Sequence, residues 1–123
     1  MASLTFYDSS GDPVAYTDDN EHIYLFSGEP VAYITGDSVY TYPGEHIGWF
    51  VDGWIFDHYG SHVYFTEEAS GGLLRPLKRL KPLKLLRSLR PFKGLRGMKP
   101  LRPIRTLAWS DFSDGDSFFM HDI

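Results

Sequence analysis

Apolar residues along this chain follow two rhythms. Up to about residue 66 they come in short runs of Ile, Val, Tyr and Phe, broken by turns rich in Gly, Asp, Ser and Pro. From residue 74 to 107 an aliphatic, Phe or Met stands at every third position instead. The first rhythm predicts strands and tight turns, because β-branched and aromatic side chains suit a pleated, half-buried surface. The second matches neither of the common regular structures.

The strand-like region repeats itself. "FYDSSGDPVAYT" begins at Phe6, "IYLFSGEPVAYI" at Ile23, "VYTYPGEHIGWF" at Val39 and "IFDHYGSHVYFT" at Ile55. Each unit opens on an apolar–aromatic pair and reaches a glycine (Gly11, Gly28, Gly44, Gly60) where a hairpin turn calls for positive φ. A β-branched residue follows three later, at Val14, Val31, Ile47 and Val63, and an aromatic two beyond that, at Tyr16, Tyr33, Trp49 and Phe65. Strand, turn, strand is the reading for each unit, which predicts four hairpins and about eight strands. A single hairpin buries too little to stand alone. Four related ones in a pseudo-fourfold arrangement can share one core. Val14, Val31, Ile47 and Val63 should form a ring in it, beside the small residues Ala15, Ala32 and Gly48. Tyr64 breaks that series and predicts a distorted quadrant. The ring of Tyr16, Tyr33, Trp49 and Phe65 should cap or flank the core; packing is a better reading than a ligand cup.

The three-residue rhythm excludes a helix, where a step of three falls about 60° short of a turn. It also excludes a strand, where alternate members would point to opposite faces. Pro76, Pro82, Pro91, Pro100 and Pro103 forbid a helix independently. A polyproline II helix, with three residues per turn, keeps every row straight. One edge is then apolar. A second carries Arg75, Lys78, Lys81, Lys84, Arg87, Arg90, Lys93, Arg96, Lys99, Arg102 and Arg105, with Arg79 beside it. The third holds the prolines with Ser88, Gly94 and Gly97. Fully extended, the segment would run on the order of 100 Å, against a head a few tens of ångströms across. The expectation is a rod that folds back near Gly94 or Gly97, bundles, swaps to another subunit or projects, with its apolar edge laid on protein.

Charge sharpens this division. Residues 1–74 carry twelve acids and no Lys or Arg, residues 75–105 carry all twelve Lys and Arg and no acid, and four acids follow. Opposite blocks of this size attract each other, within a chain or between chains. The units therefore read as a β-hairpin head at 4–72, a basic–apolar segment at 73–107 and an acidic tail at 108–123. In the tail, Trp109 and Phe112 are candidates to return to the sheet. Absence of cysteine removes disulfides and thiolate metal sites. No apolar run approaches the roughly 20 residues of a membrane span, so a soluble, cytoplasmic protein is expected.

The units "GDPVAYT", "SGEPVAYITGDSVY", "GEHIGWFVDGWIFDHYG" and "VYFTEEASGG", followed by the triplet stretch and "LAWSD", resemble the four-petalled β-flower proteins, and do so over nearly the whole chain. The resemblance implies a shallow all-β barrel of hairpin petals and supplies no catalytic residues. That shape is similar to the barrel of Tubby-like domains, which bind membrane lipids.

Chemistry is sparse. His58 and His62 lie four apart across a turn, with no third metal ligand marked, so no metal or cofactor is expected. No phosphate loop or nucleophile elbow is present. The expectation is a non-enzymatic interaction or assembly module whose twelve cations, Arg75 to Arg105, dock on the acidic head in cis or on another subunit. A protein partner, self or other, leads. An anionic-lipid-binding module peripheral to a membrane is the alternative. Nucleic acid ranks below lipid, because Phe92 is the stretch's one aromatic for stacking. The proline-rich pattern from Pro100 to Arg105 arises from the triplet itself.

Overall fold

The computed structural model describes residues 3–120. The last three residues of the expected tail, 121–123, lie outside them. Eight strands follow one another around a closed antiparallel barrel: β1 (Leu4–Tyr7), β2 (Pro13–Thr17), β3 (His22–Leu25), β4 (Pro30–Thr35), β5 (Ser38–Tyr40), β6 (His46–Val51), β7 (Trp54–Phe56) and β8 (His62–Phe65). Pairing of Tyr7 with Phe65 closes the circle.

Each hairpin is built alike, and the sequence repeat says why. In β1–β2, Phe6 pairs with Ala15 and Tyr7 with Pro13, so Val14 is an extra, bulged residue. The same skip leaves out Val31, Ile47 and Val63 in the other three hairpins. A bulge bends its strand and sharpens its twist, which is how strands this short curl into a small barrel. Val31, Ile47 and Val63 are buried in the main core, and Val14 packs against it half-buried.

The apolar–aromatic pair that opens each unit divides between two faces. Phe6, Ile23, Val39 and Ile55 are buried in the main core, opposite Ala15, Ala32, Gly48 and Tyr64. Their neighbours Tyr7, Tyr24, Tyr40 and Phe56 turn the other way and join separate aromatic clusters. The fourth hairpin keeps the register of the others, contrary to the distortion expected from Tyr64. Tyr64 fits because the chain's end makes room for it. A short helix, α1 (Ser117–Met120), places Phe118 and Phe119 in the core. Phe119 stacks on the Tyr64 ring, and the Tyr64 hydroxyl donates to the Gly115 carbonyl at 2.6 Å. A Cβ on Gly48 would lie 2.1 Å from the Phe56 carbonyl oxygen and 3.0 Å from Phe118, so the smallest of the four equivalent positions lets both the neighbouring strand and the plug come close. Trp109 bridges to His62 and packs on Trp54 and Phe65, and Phe112 packs on the core.

Residues 74–106 contain no helix or strand. They form a strap that circles the barrel. Four amides nine residues apart, on Arg79, Ser88, Gly97 and Thr106, donate to the carbonyls of Gly11, Gly28, Gly44 and Gly60 at 2.8–3.0 Å. Three triplets therefore pass each hairpin. The turn glycines serve twice: all have φ between 81° and 111°, and an added Cβ would lie 2.0–2.3 Å from the strap carbonyls of Leu77, Leu86, Leu95 and Ile104.

Two expectations are corrected here. The segment does not fold back at Gly94 or Gly97. A 70-residue head about 30 Å wide has a perimeter of about 90 Å, close to the segment's reach, so a rod too long for the diameter fits the circumference. Nor does the apolar edge lie on the head. Its row, from Leu74 to Ile104, is 87–100% exposed at all eleven positions, and Leu107 is 77% exposed.

Candidate interaction surface

The strap meets the head through its other two rows. Amides of the third row make the backbone contacts. Besides the four above, Leu85 donates to Phe26 at 2.8 Å and Gly94 to Tyr42 at 2.6 Å. Gly94 is required there, since a Cβ would sit 2.2 Å from the Pro43 carbonyl oxygen. The equivalent positions in the outer quarters are Pro76 and Pro103, which have no N–H to give. Pro82, Pro91 and Pro100, again nine apart, stand between the donor positions.

The basic row lies over the outer aromatic wall. Tyr16, Tyr24 and Phe26 form one cluster and Tyr33, Tyr40 and Tyr42 its equivalent one hairpin on. Lys84 and Lys93, nine residues apart, lie 4.4 Å from the ring centres of Tyr16 and Tyr33. Arg87, Arg96 and Arg105 continue the nine-residue step over Tyr24, Tyr40 and Phe56 at 4.5, 5.9 and 4.8 Å. Arg75 covers Trp54 at 5.8 Å. Trp49 and Phe65, the other two members of the aromatic ring, are also buried in this wall, Trp49 against His46 and His58 and Phe65 against Tyr7 and Trp54. The aromatic positions are packing, and each hairpin's share is roofed by strap. A cation over a ring face is attracted by its quadrupole, by about 0.5–1 kcal/mol when exposed and more when dry.

Beyond the rings the cations reach carboxylates. Arg79 pairs with Asp12, Lys81 with Glu67, Lys84 and Arg87 with Asp18, Lys93 with Glu21, Lys99 and Arg102 with Asp37, and Arg105 with Asp52. Arg90 lies 3.4 Å from the Tyr24 hydroxyl and 3.3 Å from His22. Lys78 is exposed. The Lys99 ammonium holds the Asp37 carboxyl below its ordinary value, and Lys93 does the same for Glu21. Burial works against ionisation of Asp18 and Glu67, but hydrogen bonds from Ser3 and Lys84 to the one, and from the Thr5 amide and Lys81 to the other, lower both. These side chains stay about one-third to two-thirds exposed, where a single pair contributes about 0.2–1 kcal/mol. The strap holds by number.

The third hairpin departs from the pattern. His46 stacks on His58 with Nδ1 and Nε2 3.0 Å apart, and its Nε2 meets Ser38 Oγ at 3.2 Å. Burial first, then the neighbouring His58, pushes His46 down to about 4. Ser38 is buried, which leaves its hydroxyl inaccessible as a nucleophile. His62 stands apart from this pair, between Trp54 and Phe56. Among the described residues no group of three or more His, Asp or Glu is placed to hold a metal ion, and no helix is long and apolar enough to cross a membrane.

A closed barrel of four bulged hairpins, girdled by a strap with a nine-residue step per hairpin, defines a fourfold β-petal protein. The chain belongs to the 4-fold beta flower protein family, whose family model matches residues 4–118, so the strap is included along with the head, and the match ends within the plug at Phe118. Neither the curated proteins nor the solved structures gave a match.

Proposed function

We propose that this is a non-enzymatic interaction module whose strap is clamped on its own head in order to present an apolar ring. The observation that carries the reading is the orientation of the triplet rows. Cations and amide donors are occupied by the head, while the row that gains nothing from the fold faces outward over the full circuit. A dozen large apolar side chains left almost wholly in water, from Leu74 to Leu107, mark an interaction surface and not scattered single exposures. With its carboxylates drawn to the strap, the head supplies electrostatic attachment and the ring supplies the contact. Cations held this way leave little charge for nucleic acid, which is bound mainly through unpaired Lys and Arg. We read the strap as a left-handed, three-residue-per-turn ribbon, since exposure and donor positions both repeat in threes. A polyproline-type circular-dichroism signal that disappears on tryptic removal of the strap tests this.

The test of the module itself is the triple variant Leu83→Ser, Leu86→Ser, Leu89→Ser. The wild type should bind an apolar dye such as anilinonaphthalene sulfonate and associate at micromolar concentration, and the variant should do both less. Equal dye binding and equal mass for the two proteins would remove the ring as an interaction surface.

A further inference from the structure

Resting on that reading, we infer that the occupant of the ring is the interfacial zone of a phospholipid bilayer, with the apolar row inserted among the acyl chains and the strap's cations at phosphate depth. The first ground is the ring's shape. Its anchors are Gly11, Gly28, Gly44 and Gly60, equivalent points of four like hairpins, so the exposed row passes every hairpin and makes a full circuit of the barrel.

The second ground is its width. The row is one residue wide, with successive side chains about 9 Å apart along the ribbon. Apolar side chains touch only when heavy atoms come within about 4–4.5 Å. The row is thus a file of separate knobs and not a continuous patch. A protein partner gains affinity from a two-dimensional, well-packed centre anchored by Trp, Tyr and Arg. The outward row has none of these: it is Leu, with Phe92, Met98 and Ile104. Hydrocarbon needs no matching shape and closes around each knob alone.

The third ground is what stands next to each knob. Every row residue from Leu74 to Ile104 is followed at once by Lys or Arg, and those paired with the head keep side-chain exposures of 40–50%. Long basic stems can keep their charged ends at a polar boundary while their neighbours enter the apolar phase. Head carboxylates pair with Lys81, Lys84, Arg87, Lys93, Lys99, Arg102 and Arg105, and the net charge is −4. Insertion of apolar side chains, not attraction to anionic lipid, therefore dominates, and a neutral membrane suffices.

Vesicle flotation of the whole protein tests this, using phosphatidylcholine alone and phosphatidylcholine with phosphatidylserine. The wild type should float with both. The Leu83, Leu86 and Leu89 to Ser variant should lose about tenfold or more in partitioning to both, since each buried methylene contributes to interfacial binding. Its thermal midpoint should match the wild type, because all three positions are exposed. In addition, Phe92→Trp should show blue-shifted strap emission with vesicles and quenching by bromine-labelled acyl chains. A wild type that stays unbound but sediments as an oligomer dissolved by the Ser variant would overturn the bilayer while preserving the ring as an interaction surface. A wild type that neither floats nor associates would overturn both. Flotation with phosphatidylserine alone, or without a spectral shift at Phe92→Trp, would overturn insertion.

Discussion

Head and strap are both repetitive, yet their repeats answer to different forces. In the head, sixteen or seventeen residues make one hairpin, and the apolar members point inward because nothing else removes them from water. In the strap, nine residues pass one hairpin, and the apolar members point outward although the acid-rich head offers them an aromatic wall. The wall went to the cations instead. Aromatic rings attract Lys and Arg as well as they shelter Leu, and a Lys or Arg that leaves the wall also gives up Asp18, Glu21, Asp37, Asp52 or Glu67. Charge complementarity chose the strap's inner face.

This difference can be broken most severely in the head. Ile55→Ala removes a fully buried side chain from the shared core, and should cost about 2–5 kcal/mol in denaturant unfolding. Strap protection should disappear with the same midpoint. A loss below about 1 kcal/mol would mean the barrel is not the stabilising unit.

Next comes the junction. Gly44→Ala sets a side chain at φ 111° and against the Leu95 carbonyl. The backbone strain alone should cost about 1–3 kcal/mol, and the strap should lift from the third hairpin. Trypsin reports this selectively, because every Lys and Arg lies in residues 75–105. Cleavage after Lys93 and Arg96 should accelerate several-fold, leaving the head intact until later. Unchanged cleavage there would show that the strap does not depend on the close approach.

Acid should separate the two regions. His46 in the folded head binds a proton only near pH 4, whereas an unfolded histidine does so near 6.5. The unfolded state therefore takes up protons first, and global stability should fall as pH drops from about 6.5 to 4. Burial lowers His62 in the same direction, so His46→Gln should reduce that slope without abolishing it. Asp18, Glu21, Asp37 and Glu67 have folded values below their ordinary ones. Their contribution is complete above the unfolded value near 4 and is lost as pH falls through the lowered folded ones. Amide exchange at Ser88 should thus rise mainly below pH 4. A rise already complete at pH 5 would detach strap closure from these carboxylates.

Single cations should matter less. Arg87→Ala removes contacts to Tyr16, Tyr24 and Asp18 and should weaken local protection by about 1 kcal/mol, an effect that shrinks in high salt. The smallest effect belongs to the row itself. Leu86→Ser, at an exposed position, should leave stability within about 0.5 kcal/mol. A larger loss would place that leucine in the fold after all.

Much of this was open to reading in the chain. Four hairpins were legible because Gly11, Gly28, Gly44 and Gly60 mark turns and because the flanking patterns repeat without a gap. The strap's period was legible because an apolar residue recurs at every third position from 74 to 107, and the exposed row keeps that spacing. The bulge at Val14 and its equivalents was not, since a local run such as "PVAYT" has the composition of an unbroken strand. Nor was the His46–His58 stack, whose members lie in different strands and loops. A signal for the strap's path does stand in the chain: Pro82, Pro91 and Pro100 repeat every nine residues, the three triplets that pass each hairpin.

Sequence by itself determined the periods, since periodicity and turn chemistry are local properties of backbone and side chain. It also determined the opposition of an acidic head and a basic segment. Only the closed barrel decided what those periods would meet. Its circumference matched the strap's length, its outer wall combined rings with carboxylates, and its turn glycines left room for a second backbone. The direction in which the leucines point follows from that three-dimensional match, and no reading of neighbours along the chain contains it.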